Sequence, residues 1–155
     1  MATLTAARAA STFPVAGASQ AGDLKVAWGS YNLLVNPTAA DIIQMCRVPA
    51  GATVVGGRIY GADIDTGTET LDFDFGWAAN GDEVADPDGF GNFGVVSGDA
   101  IDGNEVGIDR ALGGVLRTAG PKTFTKETIL QITIVATAAA TGTGMITAVV
   151  YYTYL

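Results

Sequence analysis

The clearest pattern along the chain is the strict alternation from Thr70 to Trp77. Leu71, Phe73, Phe75 and Trp77 fall on one side of an extended backbone, and Asp72 and Asp74 on the other. Successive strand side chains point to opposite faces, so this stretch predicts a half-buried antiparallel strand with one wet face. Two apolar runs near the end, Ile129 to Val135 and Met145 to Tyr152, are rich in β-branched and aromatic residues and contain no proline. With an Ala/Thr/Gly stretch between them, they predict a closing β-hairpin over Thr128 to Leu155. Upstream, Asp23 to Asn32 predicts a first strand with Leu24, Val26 and Trp28 on one face. Asp41 to Val48 predicts another, because Pro49-Ala50-Gly51 breaks the chain and Thr53-Val54-Val55 restarts it in β-type residues. Gly56, Gly57 and Gly61 predict a bend within Thr53 to Ile64.

The remaining stretches read as irregular. Ala78 to about Gly94 carries Asn80-Gly81-Asp82 and Asp86-Pro87-Asp88-Gly89 turn chemistry. Ser97 to about Arg117 is expected to hold to the core through Ile101, Val106, Ile108, Leu112, Val115 and Leu116. Residues 1–22, rich in Ala, Ser, Thr and Gly, have little to bury and are expected to form an N-terminal arm. Residues 23–155 are expected to form a single domain.

Composition narrows the chemistry. A chain of 155 residues buries about 70% of its unfolded surface, enough for a core without staples. It has no histidine, and Cys46 has no second cysteine to pair with. General acid–base catalysis, nucleophilic catalysis and zinc binding draw mainly on those residues, so most enzyme classes fall. The net charge is -8, and every charged residue from Asp63 to Asp109 is acidic. Such a surface repels phosphate, so no nucleic-acid partner is expected. No run reaches membrane-spanning length, and the start lacks the basic and apolar regions of a secretory signal, so neither membrane nor export is expected.

The surviving candidates are weak. Asp72 and Asp74 could serve a carboxylate-pair hydrolase, yet they read better as the wet side of an alternating strand. Asp86-Pro87-Asp88-Gly89 and the Asp99 to Glu105 stretch offer oxygen ligands for calcium, but neither has the spacing of an EF-hand loop, and no metal or cofactor is expected. Gly89-Phe90-Gly91-Asn92-Phe93-Gly94 matches a dinucleotide-binding string without its strand, helix or basic surroundings, so Phe90 and Phe93 are read as pinning a loop to the sheet. Tyr151, Tyr152 and Tyr154 form an interface candidate, since tyrosine is enriched at protein contacts.

Three segments together, Arg47 to Val54, Leu71 to Gly76, and the ending Thr128 to Thr133 with Ala148 to Tyr152, resemble the small jelly-roll head decoration or cement proteins of tailed bacteriophages. The resemblance covers roughly Val48 to Leu155. It implies an all-β antiparallel sandwich of jelly-roll type, with the Leu71/Phe73/Phe75/Trp77 face and the closing strands in its core. It also implies a virion location after synthesis in the host cytoplasm, and several copies, such as a homotrimer, meeting around a symmetry axis. An arm or loop would grip the lattice of the major capsid protein, and there is no catalytic set. On that basis Leu4, Arg8, Phe13 and Val15 are expected to touch the lattice, and Tyr151, Tyr152 and Tyr154 to touch neighbouring subunits. The alternative is a carbohydrate-binding β-sandwich, with Trp28, Trp77 or a tyrosine as stacking platform and calcium in the Asp-rich loops.

Overall fold

The computed structural model describes residues 1–12, 23–65, 68–95, 100–101, 104–105, 107–139 and 142–154. Along the chain run β1 (Thr3–Thr5), a 3-10 turn (Ala7–Ala9), β2 (Lys25–Leu33), β3 (Ile42–Val48), β4 (Thr53–Gly61), β5 (Asp72–Trp77) and β6 (Asp86–Val95). There follow β7 (Ala100–Ile101), β8 (Asn104–Glu105), β9 (Ile108–Ala111), the one-turn helix α1 (Val115–Thr118), β10 (Lys122–Thr123), β11 (Thr128–Ala136) and β12 (Gly144–Thr153).

These strands make an all-β sandwich. Sheet A has the order β1-β3-β11-β5-β6 and sheet B the order β10-β4-β12-β2, with β9 also on β4, while β7 and β8 pair with each other. Alternation along β5 settles which side is the core. Leu71, Phe73 and Phe75 are fully buried and Trp77 nearly so, and they meet Ile132, Ile134, Ile146, Ala148, Val150 and Tyr152 in one cluster.

The closing hairpin is corrected. β11 lies between β3 and β5 in sheet A, whereas β12 lies between β4 and β2 in sheet B. The chain therefore changes sheets between the end of β11 at Ala136 and the start of β12 at Gly144. Alternation assigns a strand its face and not its neighbour, and two central strands flanked on both sides carry the same β-branched residues that a buried hairpin would.

A second correction concerns Ala78 to Gly94, where Asp86–Val95 is a ten-residue edge strand. Its glycines and Pro87 lower its intrinsic β preference, but aromatic packing holds it. Phe90 is fully buried, with ring centroids 5.2 Å from Trp77, 6.2 Å from Phe75 and 6.2 Å from Phe124. Phe93 meets Phe73 edge-on at 5.8 Å. Part of the other irregular stretch, Ile108–Ala111, also joins sheet B by pairing with β4.

In β2, Val26 and Trp28 do share a face, and it is the outward one, with Leu24 exposed just before the strand. Residues of the inward face are small where the sheets come close: a Cβ on Gly29 would stand 1.8 Å from the Met45 carbonyl oxygen. Within the stretch expected as an arm, Thr3–Thr5 pairs in parallel with β3, and Ala6 and Ala9 are buried. Asp41 ties this start down, its Oδ1 accepting from the Ala2 N–H and its Oδ2 from the Thr38 N–H, both at 2.9 Å.

Candidate interaction surfaces

The feature most in need of a partner is the outer face of sheet B. Register lines up Val26, Tyr151 and Gly56 in one row, and Trp28, Val149 and Arg58 in the next. Leu24, Val26, Trp28, Val55, Tyr60 and Met145 all rank as exposed, with Leu24 at 64% and Trp28 at 41%. The Tyr151 ring extends over Gly56, where a Cβ would lie 3.9 Å from it. Single exposed apolar residues need no explanation, but the adjoining Val26/Tyr151 and Trp28/Val149 pairs, bounded by the hydrogen-bonded Ser30 and Thr147 hydroxyls, make a local apolar patch that is a candidate interaction site. Arg58 gives this face a polar border, ion-paired to Asp109 at 2.7 Å.

The predicted contact residues separate on the structure. Tyr152 is 1% exposed and belongs to the core, so its ring is not available to a neighbouring subunit, which corrects that expectation. Tyr151 is half-buried on the outer face, and Tyr154 packs edge-on to Tyr152 at 6.1 Å. Leu4 packs against the core of its own chain. Arg8 lies in the 3-10 turn, while Phe13 and Val15 fall outside the described residues. Of these residues the sequence singled out Tyr151 as a contact and grouped Leu24, Val26 and Trp28 on one strand face, without marking that face, or Val55, Tyr60, Met145 and Val149, as an exposed surface. Cross-strand register brings Val149 beside Trp28 and Tyr151 beside Val26, which no single strand shows.

The described acidic positions Asp72, Asp74, Asp86 and Asp88 gather along β5 and β6 at one edge of sheet A. Asp74 has its carboxyl pushed up by burial and then by the nearby charges of Asp88 and Asp72. Asp86 is pushed up by burial and by a hydrogen bond with Asp88. Among the described residues no group of three or more His, Cys, Asp or Glu side chains is placed to hold a metal ion. Asp86-Pro87-Asp88-Gly89 lies at the start of β6, and most of the Asp99 to Glu105 stretch is outside the described residues. The Gly89 to Gly94 string lies within β6, not at a strand-to-helix turn. Cys46 is buried, and Trp77, 5% exposed beneath Phe90 and Phe124, is no stacking platform for a sugar. No helix among the described residues is long and apolar enough to cross a membrane.

No protein-family model matches the chain, and no curated protein sequence does. Solved structures do. A chain of the Cyanophage Pam1 capsid asymmetric unit matches at a TM-score of 0.67 with 23% identity, over 95% of this chain and 96% of that one. The chain has a fold found in phage capsid structures. A chain in the capsid of Ralstonia phage GP4 matches at a TM-score of 0.72 with 18% identity, over 99% of each chain. A third, from the acidic stable capsid structure of Helicobacter pylori bacteriophage KHP30, matches at 0.56 with 13% identity, over 86% of this chain and 90% of that one. At these identities the likeness establishes shared architecture, and the near-complete coverage makes it a likeness of whole chains.

Proposed function

We propose that this chain is a non-enzymatic virion structural protein of a bacteriophage, of the decoration or cement type, which binds the capsid shell and stabilises it. The observation that carries the reading is the end-to-end likeness to chains in capsid structures. Strand order supports its jelly-roll form: β2-β12-β4-β9 in one sheet and β3-β11-β5-β6 in the other place first strand beside last and interleave the rest, as two Greek keys do. The exposed apolar face of sheet B supports a protein partner. In this reading the major capsid protein lattice and further copies of the chain, in a homotrimer or another closed ring, are the partners. Tyr151 and Tyr154 are the candidate contacts between subunits, and Arg8, Phe13 and Val15 the candidate contacts with the lattice. Repetition of one modest contact over a shell supplies avidity that a single contact lacks.

The test is co-sedimentation of the purified protein with shells of the phage that encodes it, stripped of it beforehand. Wild type is expected to pellet with shells to a fixed number of copies per shell. Trp28→Glu, which puts a charge on the exposed face without touching the core, is expected to weaken binding at least about tenfold, the loss of a central aromatic anchor. Failure of wild type to bind overturns the reading.

A further inference from the structure

The two sheets part along one side of the sandwich, where β6 ends sheet A and β9 lies on β4 in sheet B. The segment after β9 spans this seam: the Leu112 N–H donates to the Gly57 carbonyl of sheet B, and the Gly113 N–H to the Phe90 carbonyl of sheet A. Beside it opens a cleft of about 400 Å³, lined by Asn92 and Phe93 of β6, Asp109 and Arg110 of β9, and Arg117 of α1.

The cleft is cationic in a chain that is not. Its carboxylate, Asp109, is taken by Arg58, and Arg110 is held by an interaction within the chain. Arg117 is exposed and has no hydrogen-bond or ion-pair partner among the described residues. Its Nε crosses Gly113 so closely that a Cβ there would stand 2.7 Å away, so the guanidinium lies across this position because residue 113 has no side chain. Three cations elsewhere are ion-paired: Arg47 with Glu127, Lys122 with Glu83 and Lys126 with Asp82. With 16 acidic residues against 8 basic ones, each copy of the chain carries more carboxylates than its own cations can pair, so a second copy has carboxylates to offer Arg117. At the opposite end of β6, Asp88 is exposed and crowded by Asp74 and Asp86.

We propose that the seam cleft receives the Asp86-Pro87-Asp88 corner of a second copy of this chain, with the Asp88 carboxylate on the Arg117 guanidinium. A planar guanidinium takes a carboxylate through two parallel hydrogen bonds, which fixes orientation as well as sign. Corner and cleft lie at opposite ends of β6, so every copy carries both halves of the contact. A two-fold exchange or a head-to-tail ring satisfies them. The inference rests on the reading that copies of this chain assemble, and it names where they meet.

The test is sedimentation velocity of the full chain at low and high salt, for wild type, Arg117→Glu, Asp88→Arg and an equimolar mixture of the two variants. Both side chains are exposed, and unchanged thermal midpoints will show that each variant folds. Wild type is expected to self-associate more weakly as salt rises. Each variant alone is expected to associate at least about tenfold more weakly, and the mixture, in which the charges are reversed as a pair, to recover. A monomeric wild type, an Arg117→Glu variant that associates like wild type, or a mixture no tighter than its components overturns the proposal. If wild type pellets with shells while Arg117→Glu self-associates normally, only this contact is wrong. If wild type ignores shells while the charge-swapped mixture recovers, the contact stands and the capsid reading falls.

Discussion

Gly29 and Gly76 occupy positions where no side chain fits. A Cβ on Gly76 would lie 1.9 Å from the Asp86 carbonyl oxygen, and one on Gly29 as close to Met45, in each case backbone that cannot swing aside. Gly29→Ala and Gly76→Ala are expected to cost about 2 kcal/mol or more each, lowering the thermal midpoint by about 4–8 °C. Gly56→Ala, whose Cβ would make only an ordinary 3.9 Å contact, is the control and is expected to leave the midpoint nearly unchanged. Single residues also set the acid response, in opposite senses. Hydrogen bonds from the Thr38 and Ala2 N–H groups hold the Asp41 carboxyl below its ordinary 3.8, so its stabilisation is complete above that pH and is lost as pH falls through the folded value. Asp74 is held above 3.8 by burial and like charge, so its ionised form strains the fold at neutral pH, and the strain is released as pH falls through its folded value. Asp41→Asn is therefore expected to be less stable than wild type at pH 7, by about 2 kcal/mol, with the gap closing in acid. Asp74→Asn is expected to be more stable at pH 7, with its advantage shrinking toward pH 3.8. Thermal midpoints measured across that range check both signs.

At the scale of elements, aromatic contacts do for β6 what its composition does not. Pro87, Gly89, Gly91 and Gly94 hide the strand from any propensity-based reading. Gly89 is itself required, since a Cβ there would meet the Trp77 ring at 2.1 Å. Phe90 is the anchor, and Phe90→Ala is expected to cost about 3–5 kcal/mol, a large part of the 5–15 kcal/mol typical of a domain. Hydrogen exchange should then show β6 and the 112–118 segment losing protection first, because Gly113 is bonded to Phe90; uniform loss over the whole sandwich would contradict this account. The misplaced hairpin has a different cause. Ile129 to Val135 and Met145 to Tyr152 carried a readable face and strand type, but their partners, β3, β5, β4 and β2, are distant in sequence. In β2 Val26 and Trp28 faced outward, because the close approach of Met45 at Gly29 leaves no room for a side chain at that point of the inner face, which Leu33 fills further along.

For the molecule as a whole, the all-β class and the Leu71/Phe73/Phe75/Trp77 core face were legible because alternation reports burial directly. The candidate surface was legible only in part: Trp28 and Tyr151 stood out as aromatic, whereas their pairing with Val149 and Val26 across β2 and β12 appears only in the register. The cationic cleft was not legible, since Arg110 and Arg117 acquire a common environment only when β6, β9 and α1 meet at the seam. Sandwich, exposed apolar patch and the fold shared with chains in capsid structures are the observations from which the proposed role is argued. The most direct measurement is electron cryo-microscopy of shells lacking the protein, before and after it is added back. The account predicts new density that accepts this sandwich at symmetry-repeated sites, with the Trp28 face of sheet B turned toward a protein neighbour. Shells unchanged by a saturating excess of the folded chain would contradict it.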